Sequence, residues 1–240
     1  MSGLSKRDFD AVVVGAGPNG LSAAIRLQQV GLSVLILEGK DTIGGGARSG
    51  ELTLPGFTHD ICSAIHPLCV GSPFLRTLPL NDHGLEFISP AVLAAHPLDN
   101  GNAAVLYPSL TDTARGLGAD ENAYLSLLAP FVNCWERIVG DLLGPLTIPR
   151  DPIAFLRFGM KALTSAAYQS GKFTTPEAKA MWAGMAAHSI QPLTNVATSA
   201  IAMVLLLSGH TSGWPIARGG SGQIANALSS YFKSLGGKIE

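Results

Sequence analysis

The feature that most constrains the fold is a glycine-rich turn, GAGPNG at residues 15–20, which lies between two apolar segments. The apolar residues 11–14 precede the turn, and a helix predicted to reach about Val30 follows it, ahead of a second apolar run. This order predicts a βαβ unit. Both strands are continuously apolar, which is typical of parallel strands that helices cover on both faces. We therefore predict an α/β fold built on a parallel, Rossmann-like sheet.

Each glycine of this first loop has its own physical role. Gly15 lets the chain turn sharply off the strand, Gly17 removes the side chain that would block a pyrophosphate, and Gly20 permits close packing of helix on strand. Pro18 suits the first helical turn, where its missing N–H costs little, and Asn19 follows it. Because the free N–H groups of that turn and the helix dipole attract anions, the loop predicts a binding site for a dinucleotide phosphate.

An acidic residue ends the second predicted strand. Seventeen residues separate Gly20 from Glu38. At that place a carboxylate can accept hydrogen bonds from both ribose hydroxyls, and it would repel a 2′-phosphate. A glycine turn followed by an incidental acidic strand end is the alternative interpretation.

The stretch after Glu38, GKDTIGGGARSG, holds a second glycine cluster with an arginine. Together with the first loop and Glu38, it resembles the FAD-dependent amine oxidase and phytoene desaturase superfamily. The resemblance is closest to the bacterial phytoene dehydrogenase-related oxidoreductases. It extends to ELTLPGFTHDICSAIHPL and to GHTSGWPIARGGSGQIANALSSYFKSLGGKIE, whereas residues 110–195 match only loosely.

The resemblance implies FAD as the cofactor and adds candidate binding residues. The second cluster would approach the FAD diphosphate, and a later glycine pair would lie where the chain returns to the FAD-binding domain. Many members carry Arg where Gly46 stands here, so Arg48 or Lys40 would supply the positive charge; for Arg48 the alternative is a solvated loop cation. The candidate cofactor-binding residues are Gly15, Gly17, Pro18, Asn19, Gly20, Glu38, Gly39, Lys40, Gly44, Gly45, Gly46, Arg48, Gly219 and Gly220.

No residue is assigned as a catalytic acid or base, although two candidates arise from the resemblance. It places His59 and Asp60 beside the flavin ring, and the alternative is that they form a hydrogen-bonded structural pair. Cys62, Cys69 and Cys134 show neither CxxC spacing nor histidines at metal-ligand spacing, which predicts buried thiols and no metal site.

The middle of the chain predicts antiparallel strands followed by helices. DNGN at residues 99–102 is a hairpin signal between apolar runs. Asp120 is predicted to cap a helix that Pro130 kinks, and Thr175, followed by proline and an acid, predicts a further helix start. The apolar run at residues 200–207 is too short to cross a bilayer and predicts a buried helix.

The resemblance implies an FAD-binding domain in two pieces, with an α+β substrate domain inserted between them. The predicted bounds are 1–82, 83–208 and 209–240. The last residues, KIE, look like the start of a strand, and relatives continue for roughly as long again. We therefore expect a truncated chain that lacks a C-terminal half or a partner chain, with one face of its sheet uncovered.

Composition limits the partners. The net charge is −1 with 14% charged residues, so no excess of cations is available to neutralise a nucleic acid. The polar N-terminus lacks the apolar core of a secretory signal, which favours a cytoplasmic protein. The segment AFLRFGMKAL, residues 154–163, could contact a membrane surface or admit an apolar substrate; core packing with Arg157 and Lys161 in solvent is the simpler alternative.

The leading hypothesis is an FAD-dependent oxidoreductase that takes hydride and proton equivalents from an apolar or amine-like small molecule. The first alternative is a non-catalytic truncated product, or one chain of an enzyme that needs a second polypeptide to complete its flavin site. A two-domain NAD dehydrogenase is the second alternative, and the lack of a later, independent GxGxxG weakens it.

Overall fold

The computed structural model describes residues 8–240. Within them the strands are β1 (Ala11–Val14), β2 (Val34–Leu37), β3 (Ser49–Glu51), β4 (Thr58–Asp60), β5 (Phe87–Ile88), β6 (Ala94–Pro97), β7 (Ala103–Leu106), β8 (Ile216–Ala217) and β9 (Lys238–Ile239). The α-helices are α1 (Pro18–Gln29), α2 (Pro67–Gly71), α3 (Leu110–Gly116), α4 (Glu121–Val132), α5 (Trp135–Leu143), α6 (Pro152–Ala162), α7 (Ala166–Ser170), α8 (Pro176–Ala187), α9 (Thr198–Thr211) and α10 (Gly222–Ser234). Short 3₁₀ turns cover Leu75–Thr77 and Gly118–Asp120.

The chain divides into two compact units. Unit 1 comprises the described part of Met1–His66 together with Thr77–Ile88 and Ile216–Glu240. Unit 2 comprises Pro67–Arg76 and Ser89–Pro215.

Unit 1 is built on a three-stranded parallel sheet in the order β1-β2-β9. Helices α1 and α10 pack against each other, and α1 packs on β1 and β2. Leu21, Ala24 and Ile25 are buried on one side of α1 because their spacing of three and four residues places them on one helix face. The predicted parallel α/β fold is confirmed.

Helices cover only one face of this sheet in the part of the chain that the structure describes. Val12 and Val14, which alternate with Val13 along β1, are 54% and 84% exposed. The apolar strands predicted helices on both faces, and that prediction is wrong for the described residues. One uncovered face of the sheet is instead what the sequence analysis predicted, because the family that this chain resembles has longer chains.

Two short antiparallel sheets complete unit 1, β3 with β4 and β5 with β8. Its last helix, α10, ends before Gly236, which has a φ of +93°. A Cβ at Gly237 would overlap the ring of Phe232, so glycine is required there for the chain to enter β9. The predicted start of a strand at the end of the sequence is confirmed.

Unit 2 is mainly helical, with one hairpin. Strands β6 and β7 pair antiparallel, and the Leu98 N–H donates to the Asn102 carbonyl across the DNGN turn, at 2.8 Å. Helix α9 is buried as predicted, with Met203, Leu206 and Leu207 in the core. Among the described residues, no helix is long and apolar enough to cross a membrane.

One predicted helix is two helices in the structure. The pattern around Pro130 indicated a single kinked helix, whereas α4 ends at Val132 and α5 begins at Trp135. Proline disturbs the turn that precedes it, whereas α4 continues through Pro130 and ends only at Val132. The single kinked helix is therefore corrected to two helices, with the break at residues 133–134.

Asp120 does not cap the helix that follows it. Helix α4 begins at Glu121 as predicted, but the Asp120 side chain makes no capping hydrogen bond to it. Its carboxylate instead accepts the N–H groups and the hydroxyls of Thr174 and Thr175, at 2.6–3.1 Å. Thr175 then caps α8, as predicted, by accepting the Ala178 N–H. Asp120 therefore ties together the starts of two helices.

Candidate functional site

The two glycine clusters lie side by side in unit 1. The Gly44 N–H donates to the Ala16 carbonyl at 2.9 Å. A Cβ placed on Gly17 would lie 3.7 Å from the Gly45 Cα. The loop that leaves β1 and the loop that follows β2 thus contact each other through glycine backbones, and no side chain stands between them.

Glycine is required at particular positions of these loops. Gly15 has a φ of +96° and Gly44 a φ of +114°, both in the left-handed region. A Cβ on Gly20 would overlap the Gly15 carbonyl oxygen. A Cβ on Gly44 would lie 2.8 Å from the carbonyl oxygen of Ala47. The predicted roles of Gly15 in the turn and of Gly20 in close packing therefore agree with the local geometry.

The first turn of α1 offers free donors beside these loops. The first bond of the helix runs from the Leu21 N–H to the Gly17 carbonyl, at 2.9 Å. The N–H groups of Asn19 and Gly20 therefore have no acceptor within the helix. Pro18 occupies the first position, and the turn holds no acidic residue. These donors and the positive end of the helix dipole favour an anion.

Glu38 follows β2 and faces the first loop. Its Oε2 accepts the Ala16 N–H at 2.7 Å, and its Oε1 accepts the Lys40 N–H at 3.1 Å. The bond from Ala16 is the main cause that lowers the pKa of Glu38, with smaller contributions from Lys40, Gly39 and the charge of Arg48. The carboxylate is therefore ionised at neutral pH and lies beside the loop that precedes α1.

Two cations accompany the loops. Arg48 donates its Nε–H to the Gly45 carbonyl at 2.8 Å, which holds its side chain against the second loop. Lys40 is exposed, and neither residue forms a salt bridge in the described part of the chain. The two remaining candidate glycines of this segment flank these cations. The Gly46 carbonyl accepts the Ser63 N–H at 3.1 Å, and Gly39 is exposed with open space around it. Positive charge is thus available next to the two loops.

Gly219 and Gly220 contact a different part of unit 1. Both have left-handed φ angles, +84° and +97°. A Cβ on Gly220 would lie 2.5 Å from the Ser49 Oγ and 3.2 Å from the Asp60 Oδ1. The return segment therefore packs on the β3–β4 hairpin, and the contacts of its two glycines are not with the first two loops. With Thr58, Ile88 and neighbouring residues, Gly219 and Gly220 line a cavity of about 340 Å³.

The same segment reaches the second loop through its helix. A Cβ on Gly44 would lie 3.3 Å from the Ala225 Cβ of α10. Helix α10 therefore supports the loop that carries Gly44, although Gly219 and Gly220 themselves lie elsewhere. This link joins residues about 180 positions apart in the sequence.

His59 and Asp60 do not form the hydrogen-bonded pair that we considered. Neighbouring residues of a strand point to opposite faces, and the His59 Nε2 bonds the Thr53 hydroxyl at 2.8 Å. The Asp60 Oδ1 accepts the Ser49 hydroxyl and the Ser221 N–H, each at 2.7 Å. Burial raises the pKa of Asp60, and these hydrogen bonds outweigh it and hold the pKa below its usual value.

Sequence reasoning missed His66 and Ser221. The buried His66 Nε2 lies 2.7 Å from the Ser221 Oγ, which donates to the Ser63 carbonyl. Burial lowers the pKa of His66, against the opposing charge of Asp60. No motif signalled this pair, because its members are 155 residues apart.

The three cysteines are free thiols in different surroundings. Cys134 is buried, Cys69 half-buried and Cys62 exposed, so the prediction of buried thiols is wrong for Cys62. Burial raises the pKa of Cys69 to about 11. The described residues contain no group of His, Cys, Asp and Glu arranged to hold a metal ion.

A parallel βαβ unit, two glycine loops in contact and an acidic residue at the strand end define a dinucleotide-binding Rossmann-like fold. In agreement, residues 13–76 match the family described as NAD(P)-binding Rossmann-like domain. Pyridine nucleotide-disulfide oxidoreductase domain-containing protein 2 of Rattus norvegicus is 41% identical over 86 residues, which are 35% of this chain and 14% of the rat protein. One of the chains of limonene dehydrogenase from Castellaniella defragrans is 29% identical over 111 residues, which are 46% of this chain and 20% of that one.

The fold also matches solved amine oxidases. Putrescine oxidase bound to putrescine superposes with a TM-score of 0.57 at 18% identity, over 96% of this chain and 50% of that one. The predicted resemblance to amine oxidases is thereby confirmed for the fold. The chain spans about half the length of this solved structure and a smaller share of the two proteins matched by sequence.

Proposed function

We propose that the chain is the FAD-binding part of an FAD-dependent oxidoreductase acting on a small apolar or amine-like molecule. The observation that carries the proposal is the contact of the two glycine loops, with Gly17 against Gly45 and the Glu38 carboxylate beside them. FAD supplies the hydride chemistry when it is bound. The residues of this chain bind and orient it.

The residues fit the adenosine diphosphate part of FAD. The diphosphate would lie against the N–H groups of Asn19 and Gly20, beside the close contact of Gly17 with Gly45. Arg48 and Lys40 would balance its charge. Gly15, Pro18, Gly39, Gly44 and Gly46 would shape the two loops.

Glu38 keeps capacity for the ribose. A carboxylate offers about four lone-pair positions, and the N–H groups of Ala16 and Lys40 occupy two of them. The remaining two suffice for the two hydroxyls of one ribose. The negative charge would disfavour NADP, whose 2′-phosphate it would repel.

FAD is proposed over NAD because the second glycine loop, which carries the resemblance to FAD-dependent oxidoreductases, lies against the first loop. The matched family is described by NAD(P) binding, so NAD is the comparison ligand in any test. The names of the related proteins, limonene dehydrogenase and putrescine oxidase, support a small apolar or amine-like substrate. We assign residues 1–82 and 209–240 to cofactor binding, Gly219 and Gly220 to the return into that part, and residues 83–208 to substrate binding.

A second candidate function is that of a truncated product, or of one chain of a larger enzyme, that requires another polypeptide to complete the flavin site. The exposed apolar face of β1, with Val12 and Val14, favours it, because such a face is normally covered. In that case the chain binds FAD but oxidises no substrate until the second polypeptide is present.

The test is titration of FAD, NAD and NADP onto the wild-type chain and Glu38→Ala by calorimetry and flavin fluorescence. Since a hydrogen bond to a charged group contributes about 1.5–3 kcal/mol, Glu38→Ala should weaken FAD roughly 10- to 100-fold. Glu51→Ala, which removes an exposed carboxylate from β3, is the matched control and should bind as wild type. Equal FAD affinity for wild type and Glu38→Ala would overturn the proposal, provided that thermal unfolding shows both folded.

A further inference from the structure

Unit 2 exposes an apolar stripe on α6. The stripe consists of Ile153, Leu156, Met160 and Leu163, and we call it the α6 face. These residues are spaced by three and four along the helix and lie on one side of it. Each is 59–67% exposed. Phe158 and Ala162, on the opposite side, are buried in the core. The expected core packing is therefore correct for one side of α6 and leaves the other side apolar and in solvent.

The segment before α6 adds to this apolar surface. Leu146 is fully exposed, Ile148 is 87% exposed, and Leu142 and Leu143 are exposed at the end of α5. Large apolar side chains in solvent are thus concentrated between residues 142 and 163. Scattered exposed leucines need no explanation, whereas a concentration of this kind marks an interaction site.

Cations flank the α6 face. Arg157 and Lys161 are exposed on the side of the helix next to Ile153. In the described chain neither forms a salt bridge, and the same is true of Lys172. An apolar strip bordered by cations outside any salt bridge is the pattern of helices that lie in a membrane interface.

A small cavity adjoins this cationic border. It has a volume of about 190 Å³ and is lined by Lys161 and Lys172 together with Ser126 and Gln169. The side chain of Gln169 is buried, and among the described residues its Oε1 has no hydrogen-bond partner. Two ammonium groups suit a phosphate. The cavity thus fits a phosphate group held by Lys161 and Lys172.

Tyr168 connects the cavity to its surroundings. The Lys172 ammonium lies 4.3 Å from the centre of the Tyr168 ring, and the ring is exposed. Tyrosine is enriched at the level of lipid headgroups because one end of it is apolar and the other polar.

We propose that the α6 face docks on an anionic phospholipid surface, with Lys161 and Lys172 holding a headgroup phosphate. A protein partner would have to desolvate Arg157, Lys161 and Lys172 and pair each of them with a carboxylate. An anionic phospholipid surface offers hydrocarbon for the stripe and phosphate for the cations. The docking does not depend on the flavin site, which lies on residues of unit 1.

The test is sedimentation of the purified chain with vesicles of phosphatidylcholine alone, and with about one-third phosphatidylglycerol. We expect at least roughly tenfold stronger binding to the anionic vesicles, falling as salt rises because the cations are screened. Equal binding to both vesicles, or none to either, would overturn the proposal.

Two pairs of variants separate the apolar and the cationic contributions. Leu156→Ser with Met160→Ser should weaken vesicle binding at least tenfold, whereas Leu52→Ser with Leu54→Ser, which are similarly exposed in unit 1, should leave it unchanged. Lys161→Gln with Lys172→Gln should remove the preference for anionic vesicles, and Lys179→Gln, an exposed lysine of α8, should keep it. If a double variant and its control lost vesicle binding to the same extent, the binding would be unspecific adsorption, and the docking would be refuted.

Two further measurements distinguish other occupants. Light scattering tests for a dimer. If the protein is a dimer, if Leu156→Ser with Met160→Ser dissociates it, and if no vesicles are bound, the α6 face is assigned to a second copy of the chain. Calorimetry with inorganic phosphate tests for a phosphate site. If phosphate binds, if Lys161→Gln abolishes this binding, and if no vesicles are bound, the cavity is assigned to a free phosphate. FAD affinity should be the same in the variants of unit 2, so a failure here is distinct from a failure of the proposed function.

Discussion

At the residue scale, the first glycine loop depends most on Gly20. A side chain there would meet the Gly15 carbonyl oxygen, whereas Gly17 has only van der Waals contact with the second loop. The glycines of one motif thus differ in what they contribute. Gly20 sets how closely α1 packs on β1, and Gly17 lies against the second loop.

Gly20→Ala should destabilise the protein by about 1–3 kcal/mol, because the added methyl group forces the helix away from the strand. Chemical denaturation followed by circular dichroism measures this change. Gly116→Ala is the matched control: Gly116 is exposed at the end of α3 with open space around it, and alanine there should be neutral or stabilise slightly. Wild-type stability of Gly20→Ala would contradict the packing role.

The sequence predicted the positions of Glu38 and of the loop glycines because those positions are set locally. A turn off a strand, a first helical turn and a strand end are all defined within about 30 residues, so spacing alone positions them. His66 could not be found in this way. Its partner Ser221 is brought to it only by the packing of α10 near the segment after β4.

At the element scale, Asp120 is the clearest case of a side chain that serves an element distant in sequence. Four donors from Thr174 and Thr175 converge on its carboxylate. Burial raises the pKa of Asp120, and the hydrogen bonds from Thr175 and Thr174 outweigh it and hold the pKa below the usual value. A residue that looked like a local cap instead fixes α4 to the start of α8.

Asp120→Asn should destabilise unit 2 by about 1–3 kcal/mol, because its amide N–H₂ group faces donors that are left unsatisfied. Since the pKa of Asp120 is lower in the folded state, its stabilising contribution is present above about pH 4 and is lost as the pH falls through the folded-state pKa. Thermal unfolding between neutral pH and pH 3 should therefore show the difference between wild type and variant shrinking in acid.

Asp112→Asn is the control for this prediction. Asp112 forms an exposed salt bridge with Arg115 at 2.9 Å, and such surface pairs contribute little. Its stability should stay within about 0.5 kcal/mol of wild type. A difference between Asp120→Asn and wild type that does not change with pH would show that ionised Asp120 is not the source of the stabilisation.

At the scale of the whole molecule, the exposed apolar surfaces set how the chain behaves in solution. On the sheet of unit 1, Val12 and Val14 point to solvent, while Val13 points to α1 and lies near Gly20. An uncovered parallel sheet is an unusual surface and favours association. The exposed side of β1, with Val12 and Val14, and the α6 face are two separate apolar surfaces. In each case one side of the element packs against the protein and the other side lies in solvent.

Val14→Lys should reduce self-association and dye binding to exposed apolar surface, with the free energy of unfolding within about 0.5 kcal/mol of wild type. The measurements are light scattering as a function of protein concentration and fluorescence of an apolar dye. Val13→Lys is the neighbouring control and should unfold the protein or destabilise it strongly, because it places a charge under α1. Identical effects of the two substitutions would contradict the assignment of the faces.

The amino-acid sequence by itself determined the βαβ unit, the first loop, the placement of Glu38 beside it, the DNGN hairpin and the start of α8 at Thr175. Each of these depends on backbone geometry and hydrogen bonds within a few tens of residues, so residue type and spacing suffice. Only the tertiary structure decided that Gly44 and Gly45 meet the first loop, that Asp120 serves α8 and that Asp60 and His66 meet Ser221. These contacts join residues that are distant along the chain, and burial of apolar surface, which is non-directional, brings such residues together without leaving a local pattern.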